Sequence, residues 1–154
     1  MKLQQNTRLA LYSLLEFAAD PTRQIAAAEI AQKYEVSSHH LAKVLAELSR
    51  VGMVQSVRGV GGGYRFVGNA RRLTLMDVIS RFEDVLPAES AHGKETPVGQ
   101  ALASVLSEID EIAKASMSSI TLETMLRIIE RQQGAPVAGP TSAPSKRKTT
   151  QPKK

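Results

Sequence analysis

Apolar positions recur every three or four residues along most of this chain, and the breaks between them fall on Pro, Gly, Ser and Thr. "NTRLALYSLLEFAAD" sets Leu9, Leu11, Tyr12, Leu14, Leu15 and residues 17–19 on a broad helical stripe, which Asp20-Pro21-Thr22 closes. "AAAEIAQKYEV" keeps the same period through Ala27, Ile30, Ala31 and Tyr34. Ser37, a good N-cap, opens a third segment in which Leu41, Val44, Leu45 and Leu48 follow the i, i+3, i+4, i+7 spacing, and Gly52 lies just past its end. The link "EVS" between the second and third segments is too short for an easy antiparallel pair. It predicts two helices crossing steeply, as in a helix-turn-helix.

The period then changes. "MVQSV" reads as a strand, a run of glycines follows, and "YRFV" alternates again. Thr74 with Asp77 forms a capping box that opens the helix "LMDVISRF". Residues 87–96, "PAESAHGKET", read as a loop. Thr96-Pro97 begins the longest helix, and Leu102, Val105, Leu106, Ile109, Ile112 and Ala113 form one apolar stripe along it. Such a stripe either packs inside its own chain or meets a second subunit. A last helix, "LETMLRIIERQ", follows Thr121. The fold class is therefore mainly α with a small β-hairpin: a winged helix-turn-helix over 1–86, a loop over 87–96, and a long C-terminal helix with its successor over 97–133. Residues 134–154, rich in Pro, Gly, Ser and Thr and ending in Lys/Arg clusters, read as a disordered basic tail.

The glycine run "SVRGVGGGYRF" raises the question of a nucleotide loop. A dinucleotide fingerprint requires strand, G-x-G-x-x-G and then a helix. Here Tyr64 stands where the third glycine belongs, and a strand follows. No Gly-Lys-Ser/Thr follows either, so a P-loop fails. Helix-turn-helix, strand, glycine turn, strand is the order of a winged helix, and the glycines are its wing. Positive φ is open to them at a tight tip. Without side chains, Gly61, Gly62 and Gly63 also let the backbone approach a phosphate or a minor-groove wall, with Arg58 and Arg65 beside them.

Charge sharpens this picture. The net +5 comes entirely from residues 134–154, for residues 1–133 hold 15 basic and 15 acidic side chains. Within those, 1–72 carry ten basic against five acidic residues, while 73–133 carry five against ten. A basic front and an acidic back suit a DNA-facing module joined to an interaction module. The chain has no cysteine, which excludes disulfides, thiol catalysis and thiolate-held zinc or iron–sulfur sites. No nucleophile–base pair or carboxylate dyad is legible, so no enzyme is expected. No apolar run spans a bilayer and "MKLQQNTR" carries no signal segment, so the expected place is the cytoplasm, at the nucleoid.

Together, "MKLQQNTRLAL", "AAEIAQKYEVSSHHLAKVLAELSRVGMV", the wing and "LTLMDVI" resemble the Rrf-two family of bacterial winged-helix transcription regulators, over about residues 1–131. The resemblance implies a homodimeric, sequence-specific DNA-binding regulator, a repressor or an activator, on a pseudo-palindromic operator of double-stranded DNA, and a repressor is the expected sign. Its long helix would cross to the partner subunit through Leu102, Val105, Leu106, Ile109 and Ile112. Residues 37–43 would begin the recognition helix, with Ser38, His39, His40 and Lys43 toward the major groove. Arg8 corresponds to a phosphate-contacting region, and Arg58, Gly61, Gly62, Gly63, Tyr64 and Arg65 form the wing. Cluster-binding members resemble one another in three cysteines after the wing domain. The loop "DVLPAESAHGKETPVG" has none, and Arg8 stands where some members place a carboxylate ligand, so no cofactor is expected.

His92 with Glu89 and Glu95 reads as exposed loop rather than a metal site. His39 and His40 sit about 100° apart on a helix and cannot clamp one ion. What remains for signalling is a small-molecule effector in the groove beside the dimer helices, or a partner protein docking near Glu108, Asp110 and Glu111. The alternative is a winged-helix protein-interaction subunit without its own DNA target. Removing residues 134–154 is expected to lower affinity for operator and scrambled duplex alike in a salt titration, since a basic tail adds sequence-independent attraction. A loss confined to the operator would contradict that role.

Overall fold

A computed structural model describes residues 3–83 and 95–134. The elements run α1 (Gln5–Ala19), α2 (Ala27–Lys33), α3 (Ser38–Arg50), β1 (Val54–Val57), β2 (Gly63–Phe66), α4 (Leu75–Phe82), α5 (Pro97–Ser119) and α6 (Leu122–Gln132). The winged-helix order is as the hydrophobic pattern implies. The basic tail and most of the loop, including Glu89 and His92, lie outside the described residues.

The turn between α2 and α3 is closed by the backbone itself. The Val36 N–H donates to the Ala31 carbonyl at 2.9 Å and the Glu35 N–H to that of Gln32 at 3.3 Å, the two bonds of a Schellman cap. The left-handed position falls on Glu35, φ 52°, a conformation costing a non-glycine residue about 1 kcal/mol or more. Ser37 then caps α3 by accepting from the His40 N–H. The other end of α3 repeats the device with a glycine: Gly52 has φ 72°, and the Met53 N–H reaches the Leu48 carbonyl at 3.0 Å.

β1 and β2 pair antiparallel, from Val54 opposite Phe66 to Val57 opposite Gly63. A third extended piece joins this ribbon. Ile25 exchanges both backbone bonds with Tyr64, each at 2.9 Å, so the wing is stitched to the segment entering α2.

The core is aliphatic, as the scarcity of aromatics implies. Leu14 and Phe17 of α1, Ile30, Leu41, Leu45, Leu48, Val54, Val78 and Leu122 are all fully buried in it. α1 packs against α3, α4, α6 and β2. The capping box expected at Thr74 forms: its hydroxyl accepts from the Asp77 N–H, and the Asp77 carboxylate accepts from the Thr74 N–H at 2.8 Å. Thr96 and Thr121 cap α5 and α6, their hydroxyls accepting from the Gly99 and Thr124 N–H groups.

α6 does not stay with α5. Its start is strapped to the approach to α4, the Leu122 N–H donating to Leu73 and the Leu75 N–H to Ile120. Leu122 itself lies in the winged-helix core, although the pattern of the chain groups it with residues 97–133. Leu122→Ala is expected to cost about 2–5 kcal/mol of unfolding free energy in a urea titration. A loss under about 1 kcal/mol would mean that α6 is not anchored through this side chain.

Candidate nucleic-acid interface

α3 divides cleanly into two faces. Leu41, Val44, Leu45 and Leu48 are buried, while Ser38, His39 and Lys43 are exposed near the N-terminus, where unpaired N–H groups and the helix dipole favour an anion. Lys43 makes no ion pair among the described residues, so its ammonium is available. Arg50 at the far end is held by Glu47, at 2.7 Å. His40 differs from its neighbours. It is half-buried, with Nε2 2.5 Å from Oδ1 of Asn6, so its ring ties α3 to the first turn of α1. Arg8, two positions along α1 from Asn6, is exposed and unpaired among the described residues.

The glycines of the wing serve two purposes. Gly59 and Gly61 have φ of 109° and 73°, with open space where a side chain would stand. They shape the turn, and Val60 between them is fully exposed at the tip. Gly62 and Gly63 face the protein's own backbone. A Cβ on Gly62 would lie 2.5 Å from the Val57 carbonyl oxygen, and one on Gly63 2.4 Å from that of Ile25. Tyr64 is half-buried, its ring 6.3 Å from that of Phe17. Among the wing residues singled out in the sequence, Gly62, Gly63 and Tyr64 thus build the wing, while Arg58, Gly61 and Arg65 are exposed on it. The Arg65 guanidinium donates to Oε1 of Gln55 across the hairpin at 2.8 Å, which holds it over the strands.

α5 has no buried residue. Leu102, Val105, Leu106, Ile109 and Ile112 are between 48% and 61% exposed, so the described part of the chain does not cover its own stripe. An internal core helix is thereby excluded for the described residues. Of the acidic residues nearby, Glu108 and Glu111 are exposed and Asp110 half-buried, and Glu111 pairs with Lys114 at 2.8 Å. Glu95 is exposed, and among the described residues no group of three or more His, Cys, Asp and Glu side chains is placed to hold a metal.

Asn6, Ile25 and Val60 are the residues that sequence reasoning passed over. Asn6 meets a partner 34 positions away, and no periodicity reports that. Ile25 is a single bridging residue between a turn and a helix, too short to read as a strand. Val60 carries a signal in retrospect: an apolar residue inside a glycine turn has nowhere to be buried.

A family model described as "Rrf2: Iron-dependent Transcriptional regulator" matches residues 3–128. A protein of Rhodopseudomonas palustris (strain ATCC BAA-98 / CGA009) named BadM, described as an HTH-type transcriptional regulator, is 44% identical over 144 residues. The match covers 93% of this chain and 92% of that one. Among solved structures, CymR, the global cysteine regulator of B. subtilis, aligns with a TM-score of 0.72 at 26% identity, covering 83% of this chain and 98% of that one. IscR of T. potens shares the fold at a TM-score of 0.70 and 24% identity, over 86% and 91% of the two chains.

The two kinds of glycine should respond differently to a methyl group. Gly63→Ala must displace the Ile25 backbone and is expected to destabilise by about 1–3 kcal/mol. Gly61→Ala meets open space and carries only the strain of its positive φ, about 1 kcal/mol. Thermal unfolding of the two variants should rank Gly63→Ala lower, and the reverse order would contradict the close approach.

Proposed function

The chain belongs to the Rrf2 family of transcriptional regulators, and from that premise we propose that it is a homodimeric repressor reading a pseudo-palindromic operator. It is a winged-helix DNA-binding regulator and not an enzyme. The observation that carries the finer reading is the exposed start of α3. Ser38, His39 and Lys43 stand exposed at a capped helix N-terminus, His39 and Lys43 on the side opposite the buried leucines.

In this reading α3 enters the major groove, where Lys43 meets a guanine edge or a phosphate and Ser38 and His39 meet base edges or phosphates. His40 acts by holding α3 to Asn6, and Arg8 contacts the backbone beside it. The wing lies at the flanking groove with Arg58, Gly61 and Arg65 outward, supported by Gly62, Gly63 and Tyr64. A second copy covers the α5 stripe. The two-fold axis so formed sets two recognition helices about one helical turn of DNA apart, which is why the operator would be near-palindromic.

The family description refers to iron, but this chain supplies no thiolate. Its donor set does not fit a cysteine-held iron–sulfur cluster, and no step proposed here passes through one. The signal is then a small molecule or a partner protein. Among the described residues no helix is long and apolar enough to cross a membrane, and the proposed place of action is the cytoplasm, at the nucleoid.

Selection from random duplex DNA with the full chain is expected to enrich a near-palindrome, preferred over scrambled DNA by about a thousandfold or more. Lys43→Ala should then cost about 1–3 kcal/mol at that site. Binding without sequence preference that fades with salt would favour the protein-interaction reading instead.

A further inference from the structure

α1, the end of α2 and α6 line a half-open cavity of about 610 Å³, within the range of about 300–1,000 Å³ that small-molecule sites occupy. Leu15, Leu126 and Ile129 give it an apolar lining. Tyr12 and Tyr34 stack on one side, with ring centroids 4.7 Å apart and planes 13° from parallel. The Lys33 ammonium lies over the Tyr34 ring, 5.9 Å from its centroid.

The charges in this cavity are unequal. Oε1 of Glu16 accepts from the Tyr34 hydroxyl and pairs with the Lys33 ammonium, each at 2.5 Å. Partial burial pushes the Glu16 carboxyl up, but the hydrogen bonds from Lys33 and Tyr34 and the charges of Lys33 and Arg23 outweigh it and hold the group below its ordinary value. Glu16 is therefore ionised at neutral pH. Glu130 lines the same cavity and makes no ion pair among the described residues. Two carboxylates face one ammonium, and that ammonium is already engaged.

We propose that this cavity binds a small organic cation, a protonated amine on an apolar body of about the size of one aromatic ring. Its charge is met by the carboxylates of Glu16 and Glu130, and its body lies on the tyrosines and the aliphatic lining. An anion of the same shape would meet the Glu130 carboxylate, unpaired among the described residues, and a Lys33 ammonium already held by Glu16. Lys33 and Tyr34 lead through the Glu35 turn directly into α3, so a ligand seated against them bears on the segment that positions the recognition helix. That effector role rests on the regulator reading above, whereas the binding site does not.

The test uses the full chain without DNA and a matched pair of probes, phenethylammonium and hydrocinnamate, which share a phenyl ring and spacer and differ in charge. Calorimetry reads affinity. Tyrosine fluorescence reports the place, since two of the three tyrosines line the cavity and there is no tryptophan. The amine is expected to bind at least about tenfold more tightly than the carboxylate. Glu130→Lys, at an exposed helical position, should weaken the amine by about three- to tenfold with helicity unchanged. Equal or stronger binding of hydrocinnamate, no binding of either probe at millimolar concentration, or amine affinity untouched by Glu130→Lys would overturn the site. Operator titration with and without the amine tests the second clause: unchanged DNA affinity at saturating amine overturns the effector role alone. If no operator is selected at all, the regulator reading fails while the calorimetry still decides the site.

Discussion

Helix α1 is enclosed on nearly every side. Leu14 and Phe17 have no exposed surface, and α3, α4, α6 and β2 all rest on the helix. Burial of that kind removes slack: a close-packed helix with neighbours on several faces cannot shift without opening voids against each. The parts that could touch DNA are referenced to it. Asn6 holds His40 at the start of α3, and Phe17 holds Tyr64 at the base of the wing. Another face of the same helix supplies Tyr12 and Glu16 to the cavity. A change felt at that cavity and a change felt at the DNA surface are thus changes against one common post.

The wing shows how a glycine-rich stretch can combine reach with rigidity. Gly59 and Gly61 take φ values that other residues avoid, which lets the chain reverse over few residues. Gly62 and Gly63 are needed for the opposite reason, because neighbouring backbone lies where a side chain would go. The bridge between Ile25 and Tyr64 depends on that approach, and through it the hairpin is tied to the segment entering α2. A ribbon of two short strands alone would be marginal in water. Tied in this way, it can hold Arg58 and Arg65 at a fixed place beside α3.

What was legible in the sequence was local. Helical periods, the caps at Ser37, Thr74 and Thr96, Gly52 beyond α3 and the strand alternation around the wing all report on neighbours within a few residues, and each element forms where its pattern lies. What was not legible depends on distant parts of the chain meeting. Glu35 in the left-handed region carries no glycine to announce it. Asn6 and His40 have ordinary compositions around them. Leu122 reads like the apolar start of any helix, and only the strap formed by its bond to Leu73 and by that of Leu75 to Ile120 puts it in the core of the winged helix. The wing was correctly located, but the division of its glycines into turn-makers and close-approach positions required the backbone of Ile25. The cavity was invisible for the same reason, since Tyr12, Tyr34 and Glu130 belong to three helices with no shared pattern.

The α5 stripe is the part of the molecule whose energetics are incomplete in one chain. A helix of 23 residues with no buried side chain and five large aliphatic residues about half exposed is only partly stabilised by its own subunit, through α4 and the packing of Met117 on the core. In the proposed dimer, a second copy of the same stripe would supply a surface of matching character. The reading of this protein as a two-fold DNA reader stands on that pairing, so sedimentation equilibrium of the full chain is its most direct test. The account predicts twice the chain mass at micromolar concentration. It also predicts a monomer with unchanged helicity for the double variant Leu106→Glu, Ile109→Glu. A wild-type monomer, or a double variant that keeps the wild-type mass, would contradict it.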